Sequence, residues 1–265
     1  MSSWVLLRGL ARGSGHWGDF PAVLQQRLGG IRVVTLDLPG NGTLHDQRSP
    51  TRIEALAEAC RERMRALDAA PPYHLLAVSL GAMVALEWAA RAPADVAGCV
   101  LVNTSVGGLS PWTRRLRPAS MPTLLAVALS CGSARHQEAA ILRLTSRNPQ
   151  AAAAVVERWA GLRTSEPVAR LNAARQLLAA ARYRPPARPP ARPPAVPLLL
   201  LGSRGDALVD PRCSCDIARR WGGDSALHPT AGHDLTLDDG AWVAAQVERW
   251  LAARAERTGE TPTAV

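Results

Sequence analysis

The sequence predicts an α/β fold in which a parallel β-sheet is covered by helices. Short β-branched or leucine-rich runs alternate along the chain with longer alanine-rich stretches of helical period, the pattern typical of such a sheet. The 265 residues, 47% of them apolar, suffice for one full-sized domain with a sizeable core. No apolar stretch approaches the roughly 18 residues that suggest a membrane span, so we expect no membrane partner.

Strands and helices are predicted in alternation on both sides of the middle of the chain. The predicted strands cover residues 4–7, 31–36, 74–78, 98–103, 197–202 and 225–228. The predicted helices cover residues 20–28, 53–67, 80–91, 212–221 and 240–253. Because a helix separates most successive strands, the expected sheet is parallel.

The middle of the chain breaks this alternation and predicts a helical cap. Helix-like stretches cover residues 121–129, 136–145, 150–162 and 168–183, with no convincing strand. The proline pairs of residues 184–194 exclude helix and sheet, so we expect an extended return linker, with a docking segment for a proline-recognition domain as the alternative. The predicted organisation is a core of residues 1–108 and 195–254, a cap of residues 109–194 and a disordered tail of residues 255–265.

The net charge of +9 comes from 31 basic residues, and all of them are arginine. With the alanine richness, this is typical of a compositional bias, and we expect no nucleic-acid partner. The absence of lysine excludes Schiff-base enzymes, Ser-Lys dyads and P-loop nucleotide hydrolases.

The cysteines and the N-terminus indicate a reduced, cytoplasmic protein. No cysteine pair has C-x-x-C spacing, so we expect free, mostly buried thiols and no metal site. The N-terminal residues have no basic leader followed by an apolar segment and a cleavage site. The five cysteines are Cys60, Cys99, Cys131, Cys213 and Cys215.

A nucleophile elbow is predicted around Ser79. An apolar strand runs into the turn Ala77-Val78-Ser79-Leu80-Gly81 and then into a helix. In such an elbow the serine lies on a strained turn, and small neighbours let the strand and the helix approach closely; Ala77 replaces the usual glycine with a residue that is still small. The helix start also directs N–H groups toward developing negative charge, so Ser79 is the candidate nucleophile.

Two further candidate catalytic residues follow later strands. Asp206 ends a glycine-rich loop after the strand at 197–202, and His233 follows the strand at 225–228. The order serine, aspartate, histidine at the carboxyl ends of parallel strands suits a triad in which imidazole is the base and the carboxylate orients it. Asp210 is the alternative acid, although its position before Pro211 also suits helix capping.

Other polar residues near these strand ends have structural interpretations. His228 lies inside or at the end of its strand. Asp234 and Asp238 are expected to serve the loop and the N-terminus of the last helix.

The oxyanion hole is expected to use two backbone amides, that of Leu80 after the nucleophile and that of Leu10 in the loop after the first strand. The chain resembles the α/β-hydrolase superfamily. The resemblance rests on the segments around Ser79, Asp206 and His233, together with Arg8-Gly9-Leu10, His16-Trp17 and the loop at residues 37–42. The narrower resemblance is to cofactorless carboxylesterases similar to pimeloyl-acyl-carrier-protein methyl ester esterase. That family usually has His-Gly before its oxyanion residue, so Arg8 is a departure that affects the packing of the loop.

The resemblance covers residues 4–108 and 195–252 and implies an α/β-hydrolase fold with a helical cap insertion. It also implies hydrolysis of a carboxylic ester through an acyl-enzyme, with an acyl methyl ester as one candidate substrate and with no metal or organic cofactor. Full members begin with an antiparallel hairpin, whereas the first strand here starts at Trp4. We therefore expect a six-stranded, all-parallel sheet that lacks the hairpin.

The resemblance further implies that the cap shapes the acyl pocket, and some apolar cap residues are candidates for its lining, although they could equally form the cap core. A basic cluster of Arg114, Arg115 and Arg117 could receive an acidic acyl-carrier protein, or it could be a solvated face. The candidate lining residues are Trp112, Leu116, Leu124, Leu125 and Trp159.

Two alternative functions remain at this point. The same triad could serve a thioesterase, lactonase, acyltransferase or C–C hydrolase, because one fold hosts all of these activities. A non-catalytic ligand-binding protein on a hydrolase scaffold is the alternative of another class.

Overall fold

The computed structural model describes residues 3–130, 132–148, 152–185 and 196–258. Its centre is a six-stranded sheet in which every pairing is parallel, with the order β2-β1-β3-β4-β5-β6. The strands are Trp4–Leu7 (β1), Val33–Leu36 (β2), Tyr73–Val78 (β3), Val96–Val102 (β4), Leu198–Ser203 (β5) and Asp224–His228 (β6). The predicted six-stranded, all-parallel sheet is confirmed, and within the described residues no strand precedes β1.

The inner strands are mostly apolar because helices cover both faces of the sheet. In β1, Val5 and Leu7 point into one core cluster, and Trp4 and Leu6 point into the other. The first cluster packs against the helices Ile53–Ala66 (α2), Leu80–Arg91 (α3) and Arg212–Trp221 (α9). The second packs against Phe20–Arg27 (α1), the short helix Leu235–Asp238 (α10) and Gly240–Thr258 (α11). This two-residue alternation fixes which side of the sheet each strand residue faces.

The register of the sheet brings the carboxyl ends of the central strands together. Leu7 is paired with Ala77, Val78 with Val102, and Val102 with Leu201. The loops that follow β1, β3, β4 and β5 therefore leave the same edge of the sheet, where sites of open α/β folds lie.

The final helix corrects one prediction. We expected a disordered tail from residue 255, but α11 continues to Thr258. The residues that extend it, Ala-Glu-Arg, are strong helix formers, so the pattern of the helix simply continues. Residues 259–265 lie outside the described residues.

Between β4 and β5 the described residues form five helices and no strand, in the interval where a cap is predicted. These are Trp112–Arg115 (α4), Met121–Leu129 (α5), Ala134–Thr145 (α6), Ala152–Ser165 (α7) and Arg170–Arg182 (α8). Residues of α6 and α7, including Leu142 and Trp159, form a small separate core. Most of the predicted proline-rich linker, residues 186–194, lies outside the described residues.

The described residues bear on two further expectations, free cysteines and the absence of a membrane span. Four of the cysteines, Cys60, Cys99, Cys213 and Cys215, are free, and the first three of these are buried, as predicted. Among the helices of the described segments, none has the length and apolar character needed to cross a membrane.

Candidate active site

Ser79 occupies a sharp turn between β3 and α3. Its φ of 56° and ψ of −115° lie outside the regions that non-glycine residues ordinarily adopt. The turn is packed against the end of β1: a Cβ atom at Gly81 would lie 2.5 Å from the carbonyl oxygen of Arg8 and 2.6 Å from that of Leu7. Only glycine permits this approach, and the strained turn has the geometry that the sequence predicts for a nucleophile elbow.

The segment that follows β1, residues 8–13 and hereafter the β1 loop, lies directly beside Ser79. A Cβ atom at Gly9 would lie 3.2 Å from Cβ of Ser79 and 3.8 Å from its Oγ. The amides of Leu10 and Leu80 donate no hydrogen bond to another group of the described residues. Both N–H groups are thus without an acceptor in this part of the structure, and an oxyanion hole needs such free donors.

His233 and Asp206 form a buried hydrogen-bonded pair. Nδ1 of His233 lies 2.7 Å from Oδ2 of Asp206. The other carboxylate oxygen, Oδ1, accepts hydrogen bonds from the amides of Leu208 at 2.7 Å and Val209 at 2.9 Å. Because the carboxylate accepts the Nδ1 proton, Nε2 carries the lone pair and can act as a base.

Two opposing effects set the pKa of His233. Burial favours the neutral ring and lowers the pKa, while the charge of the Asp206 carboxylate and its hydrogen bond raise it. The result is a pKa above the ordinary value of 6.5. The imidazolium that forms when the base accepts a proton is thus stabilised by Asp206.

The end of β4 connects the Ser79 turn to the His233 loop. The Ser79 amide donates to the carbonyl of Val102 at 2.9 Å, and the Thr104 hydroxyl donates to the Ser79 carbonyl at 2.8 Å. Between these two residues, Nδ2 of Asn103 donates to the carbonyls of His233 at 2.9 Å and Gly232 at 3.2 Å. Ser79 and His233 are therefore both held by hydrogen bonds to residues 102–104 at the end of β4.

No direct hydrogen bond joins Ser79 Oγ to His233 among the described residues, which is common before a substrate tightens a catalytic site. Sequence reasoning missed Asn103, which we treated only as the end of a strand. Its signal was the polar run Asn103-Thr104-Ser105 directly after a buried strand, at the edge of the sheet where the candidate triad lies.

The alternative acid, Asp210, belongs to a different interaction. Its carboxylate accepts two hydrogen bonds from Arg212, one from the backbone amide and one from Nε of the side chain, each at 2.9 Å. These hydrogen bonds lower the pKa of Asp210 to about 2. Asp210 thus binds Arg212, the first residue of α9, and the carboxylate that contacts His233 is that of Asp206.

His228 has the structural role that we predicted. Its Nδ1 accepts a hydrogen bond from the Ala231 amide at 2.9 Å, so its proton lies on Nε2, which faces Asp239 at 3.3 Å. The ring also packs edge-on against Trp242, with centroids 5.0 Å apart.

Asp234 and Asp238 bind the segment around His233, as expected, but the side chain that accepts a hydrogen bond from the first turn of the last helix is that of Asp239, from the Trp242 amide at 2.9 Å. Asp238 accepts hydrogen bonds from the Gly232 amide at 2.7 Å and, across to the cap, from the Arg147 amide at 2.8 Å. Asp234 forms an ion pair with Arg8. The His233 loop is therefore attached to the cap on one side and to the β1 loop on the other.

Arg12 ties the β1 loop to the cap, a role that the sequence did not reveal. Its Nη1 lies 2.8 Å from Oε2 of Glu138 and 2.9 Å from Nε2 of His16. Its guanidinium also lies over the ring of Trp159, 4.3 Å from the centroid. Since arginine can only donate, Nε2 of His16 is an acceptor, and burial together with Arg12 lowers the pKa of His16 far below its ordinary range.

The predicted pocket-lining residues lie in different environments. Trp159 is fully buried in the small cap core, where a ligand from solvent would reach it only after movement of the cap. Trp112 and Leu125 are exposed, with 71% and 53% of their surface accessible. Leu116 and Leu124 are half-buried. A groove of about 780 Å³ between α6 and α7 has none of these five residues, and no candidate triad residue, in its walls.

The predicted basic cluster is engaged with its own chain. Arg115 donates to the Ala180 carbonyl at 2.6 Å. Arg114 lies 4.0 Å from Asp216, and Arg117 lies 3.7 Å from Asp210. The contacts of Arg114 and Arg117 link this part of the cap to the core, whereas that of Arg115 stays within the cap. The two acidic partners reduce the positive charge that the cluster could offer to an acidic protein.

A family model described as the alpha/beta hydrolase family matches residues 4–246. The chain belongs to the α/β-hydrolase family. Among curated proteins, the pimeloyl-[acyl-carrier protein] methyl ester esterase of Methylococcus capsulatus is 38% identical over 99 residues. That match spans 37% of this chain and 35% of the relative.

Several solved structures share the fold of this α/β hydrolase. An esterase from a Rhodococcus species superposes with a TM-score of 0.76 and 20% identity, covering 95% of this chain and 90% of the other. A hydrolase from Pseudomonas aeruginosa gives 0.75 and 22%, covering 94% and 89%. The enol-lactonase of Burkholderia xenovorans gives 0.73 and 19%, covering 95% and 91%. These likenesses show the fold, and the family match supports a hydrolase.

Proposed function

We propose that the chain is a serine carboxylic-ester hydrolase in which Ser79 is the nucleophile, His233 the base and Asp206 the orienting acid. The observation that carries the proposal is the 2.7 Å bond between His233 and Asp206, since it fixes the tautomer that a general base needs. The strained Ser79 turn, at the edge of the sheet from which both loops leave, supports the same assignment.

The proposed reaction has two halves. Ser79 Oγ attacks the ester carbonyl carbon while Nε2 of His233 accepts its proton, and the Leu10 and Leu80 amides stabilise the oxyanion. The C–O bond then breaks, and the alcohol leaves with the proton from His233. Water attacks the acyl-enzyme with His233 again as base, which releases the carboxylic acid and restores Ser79. In this scheme no step requires a metal or an organic cofactor.

Covalent labelling tests the nucleophile. A fluorophosphonate probe should label the wild-type chain, and Ser79→Ala should abolish the labelling, while the exposed serine variant Ser165→Ala should label normally. A folded wild-type protein that fails to label would contradict the proposal and would favour a non-catalytic ligand-binding protein on the same scaffold.

The bond that is cleaved is tested by a substrate panel. We expect hydrolysis of p-nitrophenyl esters to exceed turnover of acyl thioesters and lactones by at least about tenfold in kcat/KM, a margin of about 1.4 kcal/mol. Faster turnover of thioesters or lactones would assign the triad to one of those activities instead.

The apolar cap residues Leu116 and Leu124 are proposed to contact the acyl chain, and their alanine variants should alter the chain-length preference.

A carrier-bound substrate is the second candidate, favoured by the similarity to a pimeloyl-[acyl-carrier protein] methyl ester esterase. It predicts that a triple alanine variant of Arg114, Arg115 and Arg117 loses activity on a carrier-bound methyl ester while it retains activity on the free methyl ester. Equal losses on both substrates would contradict the carrier proposal, because they would indicate that these arginines stabilise the chain itself through their contacts. No loss on either substrate would contradict it as well.

The cytoplasmic location stays a prediction.

A further inference from the structure

A buried ion pair joins the two loops that carry the proposed catalytic groups. Arg8 is the first residue after β1, two positions before Leu10, and Asp234 directly follows His233. The two side chains are 4% and 5% exposed. The pair therefore links the segment of the oxyanion donor to the segment of the base.

The pair is bidentate, which fixes orientation as well as distance. Nη1 of Arg8 donates to Oδ1 of Asp234 at 3.0 Å, and Nη2 donates to Oδ2. Nη1 also faces the Thr236 hydroxyl at 3.3 Å, and the guanidinium lies over the Trp17 ring, 4.8 Å from its centroid. Two parallel bonds between planar groups leave little freedom for the two loops to slide past each other.

Stability alone gives a weak account of such a pair. Burying two charges costs desolvation energy, and apolar residues of similar volume often stabilise a fold as well or better. What the pair supplies is a defined relation between two loops that are 226 positions apart in sequence.

The adjacent contacts extend this relation to Ser79 on one side and to the cap on the other. Gly9 lies against Ser79, and the Asp234 amide donates to the Thr145 carbonyl of the cap at 2.8 Å.

We propose that Arg8 and Asp234 are a positioning pair that holds the Leu10 amide and the His233 ring in the relative placement that the reaction needs. The inference rests on the proposed function for its catalytic consequence. Neither residue touches the substrate; each acts through its neighbour in the chain.

The pair also sets the charge around His233. The charged groups that face the ring are the Asp206 and Asp234 carboxylates, which raise its pKa, and the Arg8 guanidinium, which lowers it. With both members present, the charges of Arg8 and Asp234 act on the pKa of His233 in opposite directions. Removing either one leaves the other unbalanced, so the two single variants should shift the titration of His233 in opposite directions.

The experiment compares Arg8→Gln, Asp234→Asn and the double variant with the wild type. Arg8→Gln should raise the pKa of His233, and Asp234→Asn should lower it, each by roughly half a unit to one unit, while the double variant should titrate near the wild-type value. The pKa is read from the imidazole resonances in NMR and, where the protein turns over an ester, from the pH profile of kcat/KM.

The kinetic part of the experiment measures positioning. All three variants should lose kcat by about tenfold to a hundredfold with KM changed far less, because misplacement of the oxyanion donor and the base slows the chemical step. Arg8→Lys keeps the charge and loses the bidentate geometry, so it should lower kcat without moving the pKa. The matched control is Glu87→Gln, a buried carboxylate paired with Arg91 eight residues past Ser79 in α3, which should change neither quantity.

The outcomes separate this inference from the proposed function. Single variants that shift the pKa in the same direction, or that leave kcat at the Glu87→Gln level, would overturn the positioning pair. The same conclusion follows if Arg8→Gln, Asp234→Asn and Arg8→Lys all fail to fold, since the pair would then act on stability. A wild type without hydrolysis or labelling overturns the proposed function, whereas opposite NMR shifts would still support the charge balance.

Discussion

Arg12 and Glu138 join the β1 loop to the cap through a buried ion pair in which Nη1 lies 2.8 Å from Oε2 and the Glu138 side chain is 1% exposed. The second carboxylate oxygen of Glu138 accepts from Nε of Arg163 in α7 at 2.6 Å. One carboxylate therefore bridges two guanidinium groups, one from the loop beside Ser79 and one from the cap.

Replacing that carboxylate should destabilise the protein strongly. Glu138→Gln leaves the buried Arg12 without its counter-charge, and we expect the free energy of unfolding in urea to fall by on the order of 3 kcal/mol. The matched control is Glu157→Gln, whose partner Arg135 is 70% exposed and whose own side chain is 57% exposed, so its loss should stay below about 1 kcal/mol. Equal effects of the two variants would contradict a structural role of the Arg12–Glu138 pair.

The Asp206–His233 pair predicts the pH dependence of activity. His233 must be neutral to act as a base, so kcat/KM should rise with pH through a midpoint above 6.5, because Asp206 raises the pKa of the ring. In Asp206→Asn, burial dominates and the midpoint should move to lower pH. The rate should also fall by on the order of 10³- to 10⁴-fold, because the tautomer is no longer fixed. A rise in the midpoint in Asp206→Asn would contradict the assignment of Asp206 as the acid.

The same pair predicts a pH dependence of stability with a defined sign. The pKa of His233 is higher in the folded state than its ordinary value of 6.5, so the stabilising contribution is complete below 6.5. It is lost as the pH rises through the raised value. Urea titrations should therefore show wild-type stability falling over that window relative to His233→Gln, and parallel curves for the two proteins would contradict the raised pKa.

The fold and the centre of the site follow from local sequence signals. The inner strands are short, mostly apolar runs because both faces of the sheet are buried there, and their shortness and their alternation with longer helical stretches identify them. Ser79, Asp206 and His233 each follow the carboxyl end of a strand, so the sheet edge brings their loops together. That is why the Asp206–His233 contact could be anticipated across 27 positions.

The contacts that arrange the site do not have such signals. Arg8 and Asp234, or Arg12 and Glu138, pair across 226 and 126 positions, and any of the many arginines could have been the partner. The role of Trp159 was equally open, since an apolar residue at helical spacing suits a pocket wall and a cap core alike. These pairings depend on how the cap rests on the β1 loop, which helical periodicity does not determine.

Asn103 should prove to be a positioning residue for His233. In Asn103→Gly the left-handed backbone, with φ of 46°, remains accessible, but the hydrogen bonds to the His233 and Gly232 carbonyls are lost. We expect kcat to fall by about tenfold or more, with KM nearly unchanged, because the base is less well placed. Asn103→Ser, which keeps a donor that is too short to reach both carbonyls, should not restore the rate, and full activity in Asn103→Gly would contradict the role.

Gly81 should tolerate no side chain, because the Ser79 turn and the β1 loop meet there backbone to backbone. In Gly81→Ala the added Cβ would lie 2.5 Å from the Arg8 carbonyl oxygen, so α3 and the β1 loop must move apart. That movement separates the Leu80 amide from the Leu10 amide, and we expect a loss of about 2 kcal/mol in stability together with a lower kcat. Gly161→Ala is the matched control, since it lies in α7 with nothing within 4 Å of the new methyl, and alanine should stabilise that helix by up to about 1 kcal/mol. If Gly81→Ala kept both the stability and the kcat of the wild type, the close approach of the two amide-bearing segments would not be required for the reaction.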